Sequence, residues 1–306
     1  MKISNNTDEV VVKTENLTKK FGNLVAVNEL NLKIHRGEIF GFLGPNGSGK
    51  TTTIGMLIGL IRPTAGRIEI FGQDIMESLT TILPRIGVVM EKPGLYPYLS
   101  GSDNLLVLAR VSGGVNHKRI GEVLELVGLT SRADDKFQTY SMGMKQRLAI
   151  AAALLSDPEF IILDEPTNGL DPSGMKEVRE LIKSLGNQGK TMFLNSHLLH
   201  EVEQVCDHLA IVKQGKVIAQ GETSHLLRRG GALQLRVTDT EKAISILKST
   251  EWISSVTRED DSIQVDVPLE RAADISALLA KNNIFLSEMK ARESTLETFF
   301  LEVTGG

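Results

Sequence analysis

The most constraining feature of this sequence is a glycine-rich octapeptide between a predicted strand and a predicted helix. It reads GPNGSGKT at residues 44–51 and matches the pattern G-x-x-x-x-G-K-[ST]. The apolar segment 37–43 before it is typical of a strand, and segment 51–61 after it is typical of a helix. Backbone N–H groups at such a helix start bind phosphates. The alternative, a glycine-rich turn with a solvated lysine, does not account for this context.

Each residue type in the octapeptide has a chemical reason to be there. Glycines allow the backbone to approach a ligand closely. Lys50 is expected to reach the β- and γ-phosphates, and the Thr51 hydroxyl to ligate magnesium. The predicted nucleotide-binding residues of this loop are Gly44, Pro45, Asn46, Gly47, Ser48, Gly49, Lys50, Thr51 and Thr52.

A second motif, FIILDEP at residues 160–166, places two adjacent carboxylates after an apolar run. Four successive apolar residues suit a parallel strand that is buried on both faces. Ligands of open α/β sheets bind at the carboxyl ends of such strands. Asp164 is therefore expected to hold Mg²⁺, directly or through water, and Glu165 to orient or deprotonate an attacking water. The two motifs together predict hydrolysis of a nucleoside triphosphate, and a plain Asp-Glu-Pro turn is the weaker alternative.

The order of predicted elements indicates two domains. Strands, the first at residues 10–13, alternate with helices and imply a parallel α/β sheet. We expect this first domain to span residues 1–229, with a helical subdomain at about 95–158. A smaller α+β domain at 230–306 has the order βαββαβ, which is typical of a ferredoxin-like fold. Its role stays open between a regulatory or dimerising function and a stabilising appendage.

Composition and charge exclude several classes of protein. The longest uninterrupted apolar run is eight residues, at 148–155, far short of a membrane span. No secretory signal is expected. The single cysteine, Cys206, excludes an internal disulfide and fits a reducing cytosol. Because the net charge is −4 and residues 231–306 carry 13 acidic against 8 basic side chains, we expect no nucleic-acid partner.

Further motifs carry a resemblance to the ATP-binding subunits of ABC transporters. The segment YSMGMKQR at 140–147 resembles the family signature LSGGQ and keeps Ser141 and Gly143. The segment GLDP at 169–172, with Asp171, resembles the family's D-loop. The resemblance implies a P-loop NTPase sheet with a helical subdomain, the cofactors ATP and Mg²⁺, and nucleotide contacts from Ser141, Gly143 and Asp171. A serine that only caps its helix is the alternative for Ser141.

Two more positions follow from the same resemblance. His197, after the predicted strand TMFLNS, resembles the family's switch histidine, which contacts the γ-phosphate and positions the catalytic water. Phe21 stands where the family places an aromatic residue that stacks on adenine. The alternatives are an incidental histidine and a core phenylalanine.

The chain departs from the family pattern at Glu91, where the family's Q-loop has glutamine. The resemblance implies that this side chain touches magnesium and relays the nucleotide state to a membrane subunit. The extra negative charge either strengthens magnesium binding or repels triphosphate. Glu91 followed by PGLYPYL is similar to ATPases that export bacitracin, lantibiotics and related peptides. Tyr96 and Tyr98 are candidates for an apolar socket that receives a coupling helix of the membrane partner, or for ordinary packing of the helical subdomain on the sheet.

The resemblance also implies partners and a location. The resemblance implies that a second copy pairs head to tail, and the single set of motifs without an internal repeat is consistent with that. The second partner is an integral membrane permease, contacted through residues 91–99, so the chain is expected to be cytoplasmic and peripheral on the inner face of the cell membrane. Drug, antibiotic or peptide export is the leading hypothesis. The alternatives are a soluble non-transport ABC ATPase and a nucleotide-responsive binding module with low turnover.

Overall fold

The structure, a computed structural model, describes residues 9–91, 93–112, 114, 116–228, 232–259, 261–292 and 295–304. It divides into two compact units, Met1–Gly221 and Glu222–Gly306. The predicted domain boundary at residues 229 and 230 lies outside the described residues, so it stays a prediction.

A parallel sheet forms the centre of the first unit. Its strand order is β10-β9-β3-β8-β7-β6, and the pairs from β9 to β6 are parallel. The strands are β3 (Ile39–Leu43), β6 (Ile86–Val89), β7 (Phe160–Asp164), β8 (Thr191–Asn195), β9 (His208–Lys213) and β10 (Lys216–Glu222). Every residue of β3, β7 and β8 is buried, as continuous apolar runs predict. The carboxyl ends of these three strands therefore lie side by side at one edge of the sheet.

The sequence predicts strands at 10–13, 24–34 and 67–72, but not that they form a second, antiparallel sheet in this unit. Its order is β2-β1-β4-β5, with β1 (Val10–Phe21), β2 (Leu24–His35), β4 (Ala65–Ile70) and β5 (Gln73–Asp74). The sequence predicts a first strand only at residues 10–13, whereas β1 continues to Phe21. Irregular register against β2 after Thr14, with a positive φ of 48° at Asn16, breaks the alternation that would have shown the longer strand.

The helices of the first unit surround the parallel sheet and form the helical subdomain. They are α1 (Lys50–Leu57), α2 (Leu79–Ile82), α3 (Gly101–Val111), α4 (His117–Leu126), α5 (Met142–Ala153), α6 (Pro172–Asn187) and α7 (Leu199–Val205). The predicted helix at residues 51–61 is wrong at its end, because α1 stops at Leu57. Gly59 adopts a left-handed φ of +73°, and the Ile61 N–H then donates to the Gly55 carbonyl at 2.9 Å.

The smaller unit follows the predicted order βαββαβ. Its sheet has the order β12-β13-β11-β14 with antiparallel pairs. Its elements are α8 (Thr223–Arg228), β11 (Ala232–Val237), α9 (Thr240–Lys248), β12 (Ser255–Glu259), β13 (Ser262–Asp266), α10 (Ala272–Lys281), β14 (Leu286–Arg292) and α11 (Leu296–Thr304). Buried side chains of the sheet and of α9 and α10 form a core of its own. The ferredoxin-like assignment stays an inference from this order.

Candidate functional site

A cleft at the carboxyl edge of the parallel sheet brings together most of the predicted nucleotide-site residues. Its volume is about 490 Å³. The phosphate loop, the start of α1 and the ends of β7 and β8 form its floor, and the β1–β2 turn forms one side. The lining residues are Phe21, Leu24, Val25, Ala26, Asn46, Gly47, Gly49, Lys50, Thr51, Thr52, Glu91, Asp164, Glu165, Asn195 and Gln214.

Lys50 lies folded back into the loop that carries it. Its Nζ donates to the Gly44 carbonyl at 2.7 Å and to the Pro45 carbonyl at 3.2 Å. Burial lowers the pKa of Lys50, and the nearby carboxylates of Glu165 and Asp164 oppose that shift. A phosphate oxygen can replace these two carbonyls as the hydrogen-bond acceptor of the ammonium group. The loop is therefore suited to bind an anion.

Asp164 ends β7 beside Asn195, which ends β8. The two residues are register partners, and the Asn195 Nδ2 donates to the Asp164 Oδ1. Burial raises the pKa of Asp164, and the carboxylates of Glu165 and Glu91 add to the rise. The Asn195 amide and Lys50 act in the opposite direction. A desolvated carboxylate of this kind gains by binding a cation.

Glu165 and His197 form a hydrogen-bonded pair next to Asp164. The His197 Nδ1 lies 2.8 Å from the Glu165 Oε2, and the His197 backbone N–H donates to the same oxygen at 3.4 Å. The Glu165 side chain is only 13% exposed, whereas that of His197 is 46% exposed. The pair therefore joins a largely buried carboxylate to an imidazole open to solvent, which is a suitable arrangement for orienting a water.

The other predicted side chains of the cleft also have defined surroundings. The Glu91 Oε1 accepts a hydrogen bond from the Asn168 Nδ2 at 3.1 Å. Phe21 is 49% exposed, with the Lys19 ammonium 4.9 Å from its ring centroid. The alternative of a core phenylalanine is therefore excluded, and Phe21 is a half-exposed aromatic residue in the lining of the cleft.

The signature and D-loop residues lie outside this cleft. Ser141 is the N-cap of α5, and its Oγ accepts from the Met144 N–H at 3.2 Å. Asp171 caps α6 in the same way through the Gly174 N–H. Both capping bonds are those of ordinary helix starts. Neither these residues nor Gly143 lines the cleft of their own chain.

Sequence reasoning missed three polar residues near the cleft, namely Asn168, Asn195 and Gln214. Asn195 contacts Asp164, Asn168 contacts Glu91, and Gln214 lines the side near Phe21. A signal existed for Asn195, because it is the polar residue that ends the apolar run TMFL of β8. Nothing in the sequence singles out the other two.

The oxygen donors of the cleft suit magnesium. They are the Asp164, Glu165 and Glu91 carboxylates and the Thr51 hydroxyl, and Mg²⁺ prefers such hard ligands. Among the described residues, no group of three or more His, Cys, Asp or Glu could by itself hold a metal ion. Mg²⁺ is usually bound by one or two carboxylates together with substrate phosphates, so an all-protein cage is not required.

Comparisons with known proteins agree with this geometry. The family model described as ABC transporter matches residues 27–168. The bacitracin transport ATP-binding protein of Bacillus licheniformis is 42% identical, over 97% of this chain and 98% of that protein. The chain belongs to the ABC transporter family. The linearmycin resistance ATP-binding protein of Bacillus subtilis is 37% identical to this ABC transporter subunit, over 96% of this chain and 98% of that protein.

Solved structures share the fold of the first unit. A post-hydrolysis dimer of an ATP-binding cassette bound to ADP and phosphate matches with a TM-score of 0.62 and 31% identity. The match covers 69% of this chain and 98% of that one. The present chain is thus an ATP-binding, ATP-hydrolysing ABC transporter subunit, and the two alternative functions are disfavoured. Family membership implies dimerisation and a membrane partner. Within the described part of this subunit, no helix is both long and apolar enough to cross a membrane.

Proposed function

We propose that this subunit hydrolyses Mg²⁺-ATP in a site shared by two copies, and thereby powers export of a drug, antibiotic or peptide through a separate permease. The observation that carries the proposal is the cleft in which Lys50, Asp164 and Glu165 converge, with His197 hydrogen-bonded to Glu165. Residues 1–229 act as the ATP-binding domain and residues 230–306 as an accessory domain.

Each residue of the cleft has a proposed role. Lys50 exchanges its two carbonyl partners for the β- and γ-phosphates, helped by the backbone N–H groups of the loop residues other than Pro45. Thr51 and Asp164 hold Mg²⁺, with Glu91 beside them. Held by these residues, magnesium would supply positive charge to neutralise the negative charge that develops on the phosphates. Phe21 stacks on the adenine.

Glu165 is the proposed general base for the attacking water. Its backbone N–H donates to the Asn195 carbonyl at 2.9 Å, and its Oε2 is paired with His197, so its position is defined from both ends. A general base requires hydrogen-bond reach to its water, and the mostly buried carboxylate faces the cleft. His197 orients this carboxylate and reaches the γ-phosphate.

The second copy supplies Ser141, Gly143 and Asp171. These residues stand at helix starts, which present N–H groups and a partial positive charge to an anion. Because they lie away from the cleft of their own chain, head-to-tail pairing gives them a role at the partner's γ-phosphate.

The permease contact is proposed at residues 91–99. Tyr96 and Tyr98 are 56% and 76% exposed, and neighbouring exposed aromatics suit a protein interface. The backbone N–H of Tyr96 donates to the buried Asn104 Oδ1 on α3 at 2.7 Å, which anchors this segment to the helical subdomain. The subunit then lies on the cytoplasmic face of the cell membrane, bound through its permease.

Export is supported by the names of the similar proteins, which concern bacitracin transport and linearmycin resistance. The test is to express the tagged chain together with a candidate permease and to measure copurification, Mg²⁺-dependent ATPase activity and resistance to peptide antibiotics. Tyr98→Asp is expected to abolish copurification and resistance but not the ATPase activity of the isolated subunit. The matched control is Leu60→Asp, because Leu60 is 78% exposed but lies outside residues 91–99. Copurification with a soluble protein in place of a membrane protein would contradict the proposal.

A further inference from the structure

Asn195 is the least exposed polar side chain among those that line the cleft, and its amide oxygen has no hydrogen-bond partner. The residue is 2% exposed, its Nδ2 donates to Asp164, and its Oδ1 is buried without a hydrogen-bond partner. A buried acceptor without a partner costs free energy, and such groups in native proteins are few. We therefore expect a bound ligand to donate a hydrogen bond to this amide oxygen.

The orientation of this amide is determined by its neighbour. If the amide were turned over, its oxygen would face the Asp164 carboxylate, and two acceptors would meet without a proton between them. The Nδ2 is thus held against the Asp164 Oδ1, and the Oδ1 can only accept. Asn195 is one of the residues that line the cleft, so its amide group lies beside the region where magnesium is proposed.

Magnesium supplies the matching donors. The ion dehydrates reluctantly and usually keeps several of its waters. A water whose lone pair is on the ion has only its two O–H groups to offer, so each such water requires acceptors around it. A neutral amide oxygen meets this requirement without adding further negative charge beside Asp164, Glu165 and Glu91.

We propose that Asn195 is a positioning residue for the hydrated magnesium ion: its Nδ2 orients Asp164, and its Oδ1 accepts a hydrogen bond from a magnesium-bound water. This inference rests on the proposed placement of Mg²⁺ at Asp164. Asn195 is thereby expected to affect nucleotide binding only when magnesium is present. Direct contacts with the phosphates are made by Lys50 and the loop.

The test is equilibrium binding of adenylyl imidodiphosphate, a nonhydrolysable ATP analogue, to the full chain by calorimetry, in MgCl₂ and in EDTA. The measured quantity is the ratio of the dissociation constant in EDTA to that in magnesium. Asn195→Leu is expected to lower this ratio by about tenfold while binding in EDTA is retained, since a hydrogen bond to the ion's shell is lost. Asn195→Ser, whose hydroxyl is too short to bridge both partners, lowers it in the same direction and serves if the leucine variant does not fold.

Two further variants separate the outcomes. Thr191 lies at the opposite end of β8, where its Oγ1 accepts a hydrogen bond from the Gly37 N–H. Thr191→Val removes that bond and is expected to leave the ratio unchanged. Asp164→Asn tests the placement of magnesium itself, and an unchanged ratio there would refute that part of the proposed function. The role of Asn195 is overturned, and the magnesium site stands, if Asp164→Asn lowers the ratio but the Asn195 variants do not. The same conclusion follows if the Asn195 variants weaken binding in EDTA as much as they weaken it in magnesium.

Discussion

At the scale of single residues, Glu165 has an uncommon backbone conformation. Its φ is +51°, in the left-handed region that non-glycine residues rarely adopt. The cost is met by a hydrogen bond from its N–H to the Asn195 carbonyl and by the pairing of its side chain with His197. Such conformations concentrate at functional sites, where the surrounding structure holds them in place.

Replacement of this carboxylate tests its chemistry without disturbing its position. Glu165→Gln keeps the side-chain length and an oxygen for His197 but removes the base. We expect ATP hydrolysis to fall by at least about 100-fold, because general-base catalysis contributes that much, while ATP binding is retained and a nucleotide-bound dimer accumulates. Phosphate release and light scattering with ATP measure the two effects. Glu180→Gln, on the exposed face of α6, is the control, and undiminished hydrolysis in Glu165→Gln would contradict the assignment.

The residue scale also shows where sequence reasoning stops. Lys50, Asp164 and Glu165 could be predicted because each stands in a contiguous motif whose chemistry is local. The contact of Asn168 with Glu91 joins residues 77 positions apart, and that of Asn195 with Asp164 joins residues 31 apart. Such pairs depend on which strands and loops become neighbours, and one sequence does not specify that.

At the scale of elements, the junction between the phosphate loop and α1 depends on Gly49. It caps the helix with a φ of +100°, and a Cβ there would lie 2.3 Å from the Ala26 carbonyl oxygen of β2. Gly47 has a similar φ of +78° but open space around it. The two positions therefore share the cost of a left-handed backbone and differ in the steric contact.

We expect Gly49→Ala to lower the free energy of unfolding by about 2 kcal/mol more than Gly47→Ala does, because only the former forces β2 and α1 apart. Urea unfolding without nucleotide compares the two variants directly. Equal losses would show that backbone conformation alone, and not the approach of β2, requires glycine here.

A second element-scale prediction concerns Glu38, at the entry to β3. Burial raises the pKa of Glu38 above its ordinary value of 4.5, although the His35 N–H and the nearby His208 act against the shift. A raised folded-state pKa means that the stabilising contribution is complete below the unfolded-state value and is lost as pH rises through the folded-state value. Glu38→Gln keeps an acceptor for the His35 N–H. We expect its stability relative to wild type to increase as the pH rises from below 4.5 through the raised pKa of Glu38 in the folded protein.

Glu159 supplies the control of opposite sign. Hydrogen bonds from Arg85 and Arg36 lower the pKa of Glu159, although burial acts against them. Its stabilising contribution is therefore present above the unfolded-state value and is lost as pH falls through the folded-state value. Glu159→Gln is expected to be less stable than wild type at neutral pH, with a deficit that shrinks in acid. Urea unfolding midpoints of wild type and of each variant are measured across the pH range. If the midpoint of a variant stays at a constant distance from that of wild type at every pH, the assignment for that residue is contradicted.

The elements differ in how well the sequence predicts them. The buried strands β3, β7 and β8 are evident as apolar runs, since a strand covered on both faces does not alternate apolar and polar positions. The polar residues of β7 and β8 stand only at the strand ends. The antiparallel sheet is not, because β1 has irregular register against both of its neighbours and its polar residues interrupt the period of two. The end of α1 was misplaced for a similar reason, since apolar residues continue past Gly59 although the helix does not.

At the scale of the whole molecule, the question is how one chain forms a complete site. The cleft contains the phosphate loop and the carboxylates, whereas Ser141 and Asp171 lie at helix starts that do not line it. If two copies pair head to tail, each site takes Lys50 from one chain and Ser141 from the other. Two inactive variants can then restore one another, which a site contained within a single chain does not allow.

The decisive experiment mixes Lys50→Ala with Ser141→Glu, in which the new carboxylate repels the partner's triphosphate. Each variant alone has two damaged sites per dimer and is expected to be inactive. In a mixed dimer one site carries both changes and the other carries neither. With random pairing and independent sites, an equimolar mixture therefore regains about a quarter of wild-type activity. The measurement is ATPase activity against mixing ratio, with a maximum expected at equal amounts. Activity that stays at the level of the separate variants at every ratio would mean that Lys50 and Ser141 do not meet across the dimer, and that each chain carries its site alone.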